Sequence, residues 1–146
     1  MAPDEPPVVV DTNIIFSALL SAESPFRDVL FTSPRRFVIC ETTIVDLFRL
    51  KEKLRALRPG IPDDVLSQML HAILRRVELM RESSFSNESW NAAVELCRDV
   101  DPDDAPQVAL ALAVDGVLWT GDGRLKRALQ KQGFVRFFTP SETERP

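Results

Sequence analysis

Hydrophobic positions along the chain follow two alternating periodicities. Short runs of apolar, often β-branched residues, such as Val8–Val10, are typical of strands that are buried on both faces. Between these runs, apolar residues recur three and four positions apart, as Ile14 and Ala18 do, which predicts helices. The pattern predicts strands at 8–10, 35–40, 117–120 and 135–138. It predicts a first helix that ends at residue 20 and further helices at 24–31, 43–58, 62–80, 87–99, 104–115 and 123–132.

Strands that alternate with helices are typical of a parallel sheet with helices packed on both of its faces. A chain of 146 residues corresponds to one domain. The sequence therefore predicts a fold of the α/β class, a three-layer α/β/α sandwich with a central parallel sheet. We expect a single domain over residues 1–146, with flexible tails at 1–6 and 140–146.

Composition excludes several classes of protein. The chain is 45% apolar and 27% charged, as ordinary globular proteins are. No apolar run reaches the ~18 residues of a membrane span, and the acidic, proline-rich start lacks the features of a signal peptide. Cys40 and Cys97 lie in apolar segments without metal-binding spacing, so we expect buried free thiols and a cytoplasmic protein.

The distribution of charged residues along the chain is compatible with two interpretations of its surface. A net charge of −4 argues against a surface that coats nucleic acid generally. However, residues 49–58 carry five cations and one anion, and residues 124–131 carry four cations. Such runs are commonly solvated helix faces, but they can also border a groove for a polyanion.

Acidic residues follow the predicted strands wherever a helix begins. The carboxyl ends of parallel strands lie at one edge of a sheet, where α/β proteins bind ligands. Like charges brought together there repel, so a fold needs a cation or shared protons to compensate them. The acids at these junctions are Asp11, Glu41, Asp46, Asp101, Asp103, Asp104 and Asp122.

The residue types favour a hard divalent cation. With one histidine and no cysteine cluster, zinc is disfavoured, whereas carboxylates and water suit Mg²⁺ or Mn²⁺. Such ions lower the pKa of bound water and stabilise in-line phosphoryl displacement. A site of this kind would need no general base from the protein.

Four motifs resemble those of the PIN domain family, in order and spacing, from residue 8 to about 138. The first is an apolar strand ending in D-T-N, and the second is a helix start of the form S/T-x-x-E/D. The third is an aspartate before an alanine-rich helix, and the fourth is an apolar strand ending in T-x-D. Here they are Asp11-Thr12-Asn13, Thr43 to Asp46, Asp104 before APQVALALA, and Thr120-Gly121-Asp122.

The resemblance implies a metal-dependent ribonuclease that acts on single-stranded RNA, most often the toxin of a bacterial or archaeal toxin–antitoxin pair. We expect Asp11, Asp104 and Asp122 to bind Mg²⁺ or Mn²⁺, with Asp46 completing the catalytic cluster. Position 46 departs from the family, which usually has the longer glutamate there, and Glu41 could partly substitute.

Other residues are expected to support this site. Asn13 and Thr120 would hold the carboxylates by hydrogen bonds, and Asp103 is the neighbour most easily confused with Asp104. The structural alternatives are that Asp11 and Asp122 are helix N-caps and that Thr43 to Asp46 is a capping box. The cations expected to line the approach of RNA are Arg49, Lys53, Arg55, Arg124 and Lys126.

Apolar residues on the helices at 43–58 and 62–80 are expected to stay exposed on the monomer. They would suit a homodimer, a groove for an antitoxin helix, or both. The expected residues are Leu47, Leu50, Leu54, Leu57 and Met69.

Two other functions compete with the nuclease. Aspartyl-phosphate chemistry of the haloacid dehalogenase type needs an acid where this chain has Asn13, and receiver domains need a lysine that 135–142 lacks. A non-catalytic module that binds RNA or protein would gain by losing the repelling acids, which this chain retains.

Overall fold

The buried apolar runs form a four-stranded parallel sheet in the computed structural model, which describes residues 5–21 and 23–140. The strands are β1 (Val8–Val10), β2 (Phe37–Cys40), β3 (Val77–Met80) and β4 (Val117–Trp119). Their order is β3-β2-β1-β4, with Val8 of β1 opposite both Phe37 and Val117. Because β1 is central, its three valines are fully buried.

Helices cover both faces of this sheet, so the predicted three-layer α/β/α sandwich is confirmed. They are α1 (Thr12–Leu20), α2 (Pro25–Thr32), α3 (Glu41–Leu57), α4 (Asp63–Leu74), α5 (Asn87–Leu96), α6 (Ala105–Ala113) and α7 (Gly123–Lys131). Two 3₁₀ turns lie at Glu82–Ser84 and Pro102–Asp104. In the described part of the chain, no helix combines the length and the apolar character that crossing a bilayer requires.

Alternation along β1 divides the core into two halves. Successive side chains of a strand point to opposite faces, and Val8 and Val10 accordingly pack with α1 to α4 while Val9 packs with α5 to α7. Since β1, β2 and β4 run parallel and each is followed by a helix, the amino ends of α1, α3 and α7 meet at the carboxyl edge of the sheet.

The predicted helix at 62–80 is wrong over its last six residues. Helix α4 ends at Leu74, and residues 77–80 form β3, the edge strand that pairs with β2. Val77 continues the apolar spacing of α4, and Glu78 and Leu79 are exposed, so this strand has no buried apolar run to distinguish it. Tertiary pairing decides the structure here, and Glu78 also forms an ion pair at 2.7 Å with Arg36, which directly precedes β2.

Several other boundaries differ from the prediction. The predicted strand at 135–138 is only a single bridge between Leu118 and Phe137. Helix α3 begins two residues early, at Glu41, directly after β2. The predicted tails fall mostly on residues 1–4 and 141–146, outside the described residues, while Glu5 and Pro6 both bind Arg35.

The predicted set of exposed apolar residues is partly wrong. Leu47 and Leu54 are buried, since they lie on the stripe of α3 that faces the core, and Leu50 and Met69 are half-buried. Leu57 is 56% exposed, as predicted. The solvent face of α3 carries a different apolar residue, Phe48, which is 68% exposed and which the sequence reading did not include.

Both cysteines are buried and free, as predicted. Burial raises the pKa of Cys97 to about 11, with further contributions from the charges of Asp104 and Asp101. Burial also raises the pKa of Cys40. Both thiols are therefore held in the unreactive protonated form at neutral pH.

Candidate active site

A cleft of about 240 Å³ opens at the carboxyl edge of the sheet, between the amino ends of α1, α3 and α6. Five of the residues that line it are aspartates, and Thr12 and Asn13 at the start of α1 also line it. The cleft is lined by Asp11, Thr12, Asn13, Cys40, Thr42, Thr43, Asp46, Arg49, Leu50, Asp101, Asp103, Asp104, Pro106 and Gln107.

Asp11 directly follows β1 and is only 4% exposed. The Oγ1 of Thr120, which follows the neighbouring strand β4, donates a hydrogen bond of 2.6 Å to its Oδ2. The backbone N–H of Asn13 donates to Oδ1 at 3.4 Å, so Asp11 is also the N-cap of α1. Burial raises the pKa of Asp11, the hydrogen bonds oppose that shift, and the charge of Asp122 adds to it. Capping and membership of the acidic cluster are therefore compatible.

Asp104 immediately precedes α6 but makes no capping hydrogen bond with its side chain. Instead, its Oδ1 accepts a hydrogen bond of 3.1 Å from Nε2 of Gln107, one turn into the helix. Burial raises the pKa of Asp104 to about 7. The remaining contributions to this shift are the charges of Asp11, Asp101, Asp122 and Asp103.

Asp122 is the residue before α7 and, unlike Asp11 and Asp104, is not among the residues that line the cleft. Its Oδ1 accepts hydrogen bonds from the backbone N–H groups of Arg124 and Leu125 at 3.0 and 3.2 Å, which makes it the N-cap of α7. Its own N–H donates to Oγ1 of Thr120 at 3.1 Å. Thr120 thus connects Asp122 to Asp11, and the charge of Asp122 raises the pKa of both Asp11 and Asp104.

Asp46 lies on the second turn of α3, on the other wall of the cleft. Thr12 Oγ1 donates a long hydrogen bond of 3.5 Å to its Oδ2, and Arg49 Nη1 lies 3.9 Å from its Oδ1. Burial raises the pKa of Asp46, Arg49 and Thr12 oppose the shift, and the charges of Asp103 and Asp101 add to it. The capping-box alternative fails because α3 begins at Glu41, so that Thr43 is inside the first turn rather than at the N-cap.

The expected supporting residues are divided between the cleft and its surroundings. Asn13 and Asp103 are exposed and line the cleft. Glu41 does not line it, since its Oε1 accepts a hydrogen bond of 2.7 Å from the backbone N–H of Glu82. Asp46 is therefore the acidic residue that α3 contributes to the cleft.

Of the five expected RNA-binding cations, Arg49 lines the cleft. Lys53 lies about one turn further along α3, with its ammonium 5.5 Å from the ring centre of Phe16. Arg55 instead forms ion pairs with Glu52 and Asp63. Arg124 lines a separate groove, and Lys126 lies over the ring of Phe137.

The sequence alone did not predict a role in the site for two residues. Gln107 is buried, donates a hydrogen bond to Asp104 and also lowers the pKa of Asp11, so it acts on both acids. Its signal was a lone polar residue in an apolar helix, three positions after an aspartate. Thr12, between the two recognised members of D-T-N, reaches across to Asp46.

The donor set suits a hard divalent cation, because its free atoms are carboxylate oxygens. Among the described residues, Oδ2 of Asp104 and Oδ2 of Asp122 accept no hydrogen bond. Within the same residues, no three histidine, cysteine or acidic side chains already form a group that could hold a metal ion. Mg²⁺ in phosphate-processing sites is often held by one or two carboxylates, with water and substrate completing the shell. The residues present fit that mode of binding.

Comparisons with known proteins agree with this architecture. A family model described as PIN domain matches residues 9–133. The crystal structure of VapBC2 from Rickettsia felis bound to a DNA fragment from their promoter shares the fold, with a TM-score of 0.64 and 14% identity over 84% of this chain and 92% of that chain. The crystal structure of PAE2754 from Pyrobaculum aerophilum also shares the fold, with a TM-score of 0.59 and 20% identity over 86% of this chain and 85% of that chain. No curated protein matches the sequence significantly.

Replacing Asp104 with asparagine should stabilise the metal-free protein more at pH 8 than at pH 5. The pKa of Asp104 is raised from 3.8 to about 7 in the fold, so the stability that its protonated form contributes is present below pH 3.8 and is lost as the pH rises to about 7. Asparagine cannot ionise and avoids this loss. Urea unfolding in EDTA at both pH values measures the free energies.

Asp64→Asn is the matched control, since Asp64 is an exposed carboxylate in the first turn of α4, away from the cleft. It should shift the free energy of unfolding equally at the two pH values. The electrostatic account would be contradicted if Asp104→Asn also shifted it equally.

Proposed function

The chain belongs to the PIN domain family, and on that premise we propose that it is a divalent-metal-dependent endoribonuclease, a hydrolase that cleaves phosphodiester bonds in single-stranded RNA. The observation that carries the proposal is the convergence of Asp11 and Asp104 on one cleft, where the charge of Asp122 acts on both. A non-catalytic fold would have no reason to keep acids that repel one another there.

Mg²⁺ or Mn²⁺ would be held by carboxylates of this cluster, drawn from Asp11, Asp104 and Asp122, with Asp46 on the facing wall. When bound, the ion would supply an activated water and would neutralise charge during in-line displacement at phosphorus. The chain's own part is to fix the donors: Thr120 orients Asp11, and Gln107 orients Asp104. In metal sites, hydrogen bonds that are made to the ligands fix the orientation of those ligands.

Arg49 gives the cleft a positive charge at its rim, where its side chain is 75% exposed. A phosphate entering the cleft can bind this guanidinium, which otherwise lies near Asp46. The rest of the acidic lining disfavours a polyanion until a cation is bound, so substrate binding should depend on the metal. The buried free thiols suit a reducing compartment such as the cytoplasm.

Asp104→Asn should lower cleavage of a fluorescently labelled single-stranded RNA in Mn²⁺ by at least about 100-fold. Loss of a residue that hydrogen-bonds a metal ligand lowers activity by about 10- to 100-fold. That is the effect expected for Thr120→Val. Asp104 is preferred over Asp11 because it caps no helix, so a loss of activity would not reflect a lost cap.

The control for this assay is again Asp64→Asn, which should retain full activity. Circular dichroism establishes that each variant is folded. Undiminished cleavage by folded Asp104→Asn, or equal cleavage in Mn²⁺ and in EDTA, would rule out the proposed chemistry.

We further propose that the protein is the toxin of a toxin–antitoxin pair and that the α3–α4 surface binds a protein partner, either an antitoxin helix or a second copy in a homodimer. An apolar groove of about 230 Å³ runs between these helices, and the exposed ring of Phe48 lies at it. Exposed apolar surface beside an apolar groove favours association with another protein. The groove is lined in part by Leu19, Leu47, Leu54, Leu66 and Leu70.

Phe48→Asp should weaken this association, because it places a charge on the apolar contact. Light scattering at micromolar concentration measures self-association, and co-expression with the product of the neighbouring gene measures complex formation. Val94→Asp on α5 is the matched control, since Val94 is 59% exposed but lies on the other side of the sheet. A wild-type protein that is monomeric and forms no complex would contradict the proposal.

A further inference from the structure

A second groove, of about 510 Å³, lies between the end of α5 and helix α7. We call it the cationic groove, after its charged lining of Arg98, Arg124, Arg127 and Lys131, opposed by one acid, Asp99. All five side chains belong to exposed residues. A net charge of +3 in one groove contrasts with the net charge of −4 of the whole chain.

Helix periodicity places three of these cations in a row. Arg124, Arg127 and Lys131 are three and four residues apart, so they share one face of α7. The opposite face buries Leu125 and Leu129 in the core, which fixes the cationic row toward solvent. Seven residues of helix span about 10 Å, so the row is long enough to contact more than one phosphate of a strand that lies along it.

The described residues do not neutralise this row. Within residues 5–21 and 23–140, no carboxylate lies within 4 Å of Arg124, Arg127 or Lys131. Arg98 differs, because it pairs with Glu95 at 2.7 Å. The α7 cations are therefore available to an external anion.

The cationic groove adjoins the active-site cleft along the chain, although no described residue lines both. On one wall, residues 98–100 line the groove and Asp101, Asp103 and Asp104 line the cleft, so a single loop borders both. On the other wall of the groove, α7 begins directly after Asp122, which does not line the cleft but whose charge acts on Asp11 and Asp104. Arg127 Nη1 lies 3.0 Å from the position that a Cβ on Gly123 would occupy, so its guanidinium folds back over the first turn of α7.

We propose that the cationic groove binds the backbone phosphates of single-stranded RNA to one side of the scissile bond. The inference rests on the proposed nuclease function and adds the path of the substrate. A strand drawn into an acidic cleft needs cationic contacts nearby to offset repulsion, and an exposed row of cations suits an extended polyanion rather than a single small anion.

The test compares two double variants that each remove two positive charges. Arg127→Gln with Lys131→Gln alters the groove, whereas Arg75→Gln with Arg81→Gln alters exposed residues that line neither the cleft, the cationic groove nor the apolar groove of α3 and α4. Both are made in the otherwise wild-type chain and measured with Ca²⁺ in place of Mn²⁺, so that a hard cation can occupy the acidic cluster while RNA is not cut. Fluorescence anisotropy with labelled 12-nucleotide and 4-nucleotide oligouridylates measures affinity across a series of salt concentrations.

The groove variant should bind the 12-mer about tenfold or more weakly at 50 mM salt. Its slope of log K against log salt should be shallower by about 1.4, which is about 0.7 for each of two phosphate contacts in a single strand. The 4-mer, which is too short to occupy both cleft and groove, should lose less affinity, and the control variant should match its parent. Equal affinities and slopes in the groove and control variants would overturn the proposal.

Kinetics separates failure of this inference from failure of the proposed function. In the wild-type background, the groove variant should raise KM for a 12-mer by about tenfold and leave kcat unchanged. An active enzyme whose KM does not respond to the groove variant overturns the substrate path alone. A wild-type protein that cleaves no RNA in Mn²⁺ overturns the nuclease proposal instead, whatever the binding data show.

Discussion

Mutual repulsion of carboxylates at the carboxyl edge of the sheet is the interaction that the surrounding structure has to overcome. Asp104 reaches a pKa of about 7 because burial and four neighbouring acids all oppose its charge. The fold holds it there through a fully buried central strand and through hydrogen bonds from Thr120 to Asp11 and from Gln107 to Asp104. The amino ends of α1, α6 and α7 add favourable partial charge. A proton or a cation would relieve the remaining strain.

The chain separates positive from negative charge over a short distance. Acids line the cleft, whereas the free cations of α7 begin two residues after Asp122. Both arrangements come from one topological fact, since parallel strands deliver their carboxyl ends, and the helices that follow them, to one edge of the sheet. The carboxylates that would bind a metal ion and the cations that would bind a polyanion can therefore lie near each other without neutralising each other.

Much of this edge could be predicted from the sequence, because strand ends are visible as buried apolar runs. Asp11 and Asp122 are found in that way, and Asp46 and Asp104 are found from motif spacing. Strand β3 was missed because Val77 continues the spacing of α4 and pairing with β2 is a tertiary interaction. The cations were harder to place, since Arg55 is bound by Asp63, a partner that only packing brings near.

Direct measurement of Mn²⁺ binding tests the central claim that the acidic cluster is a cation site. The electron paramagnetic resonance signal of free Mn²⁺ can be followed while metal is titrated into wild-type protein, Asp104→Asn and Asp64→Asn. The account predicts saturable binding by the wild type and by Asp64→Asn, and loss of that binding in Asp104→Asn. Equal binding by all three proteins, or none by the wild type, would contradict it.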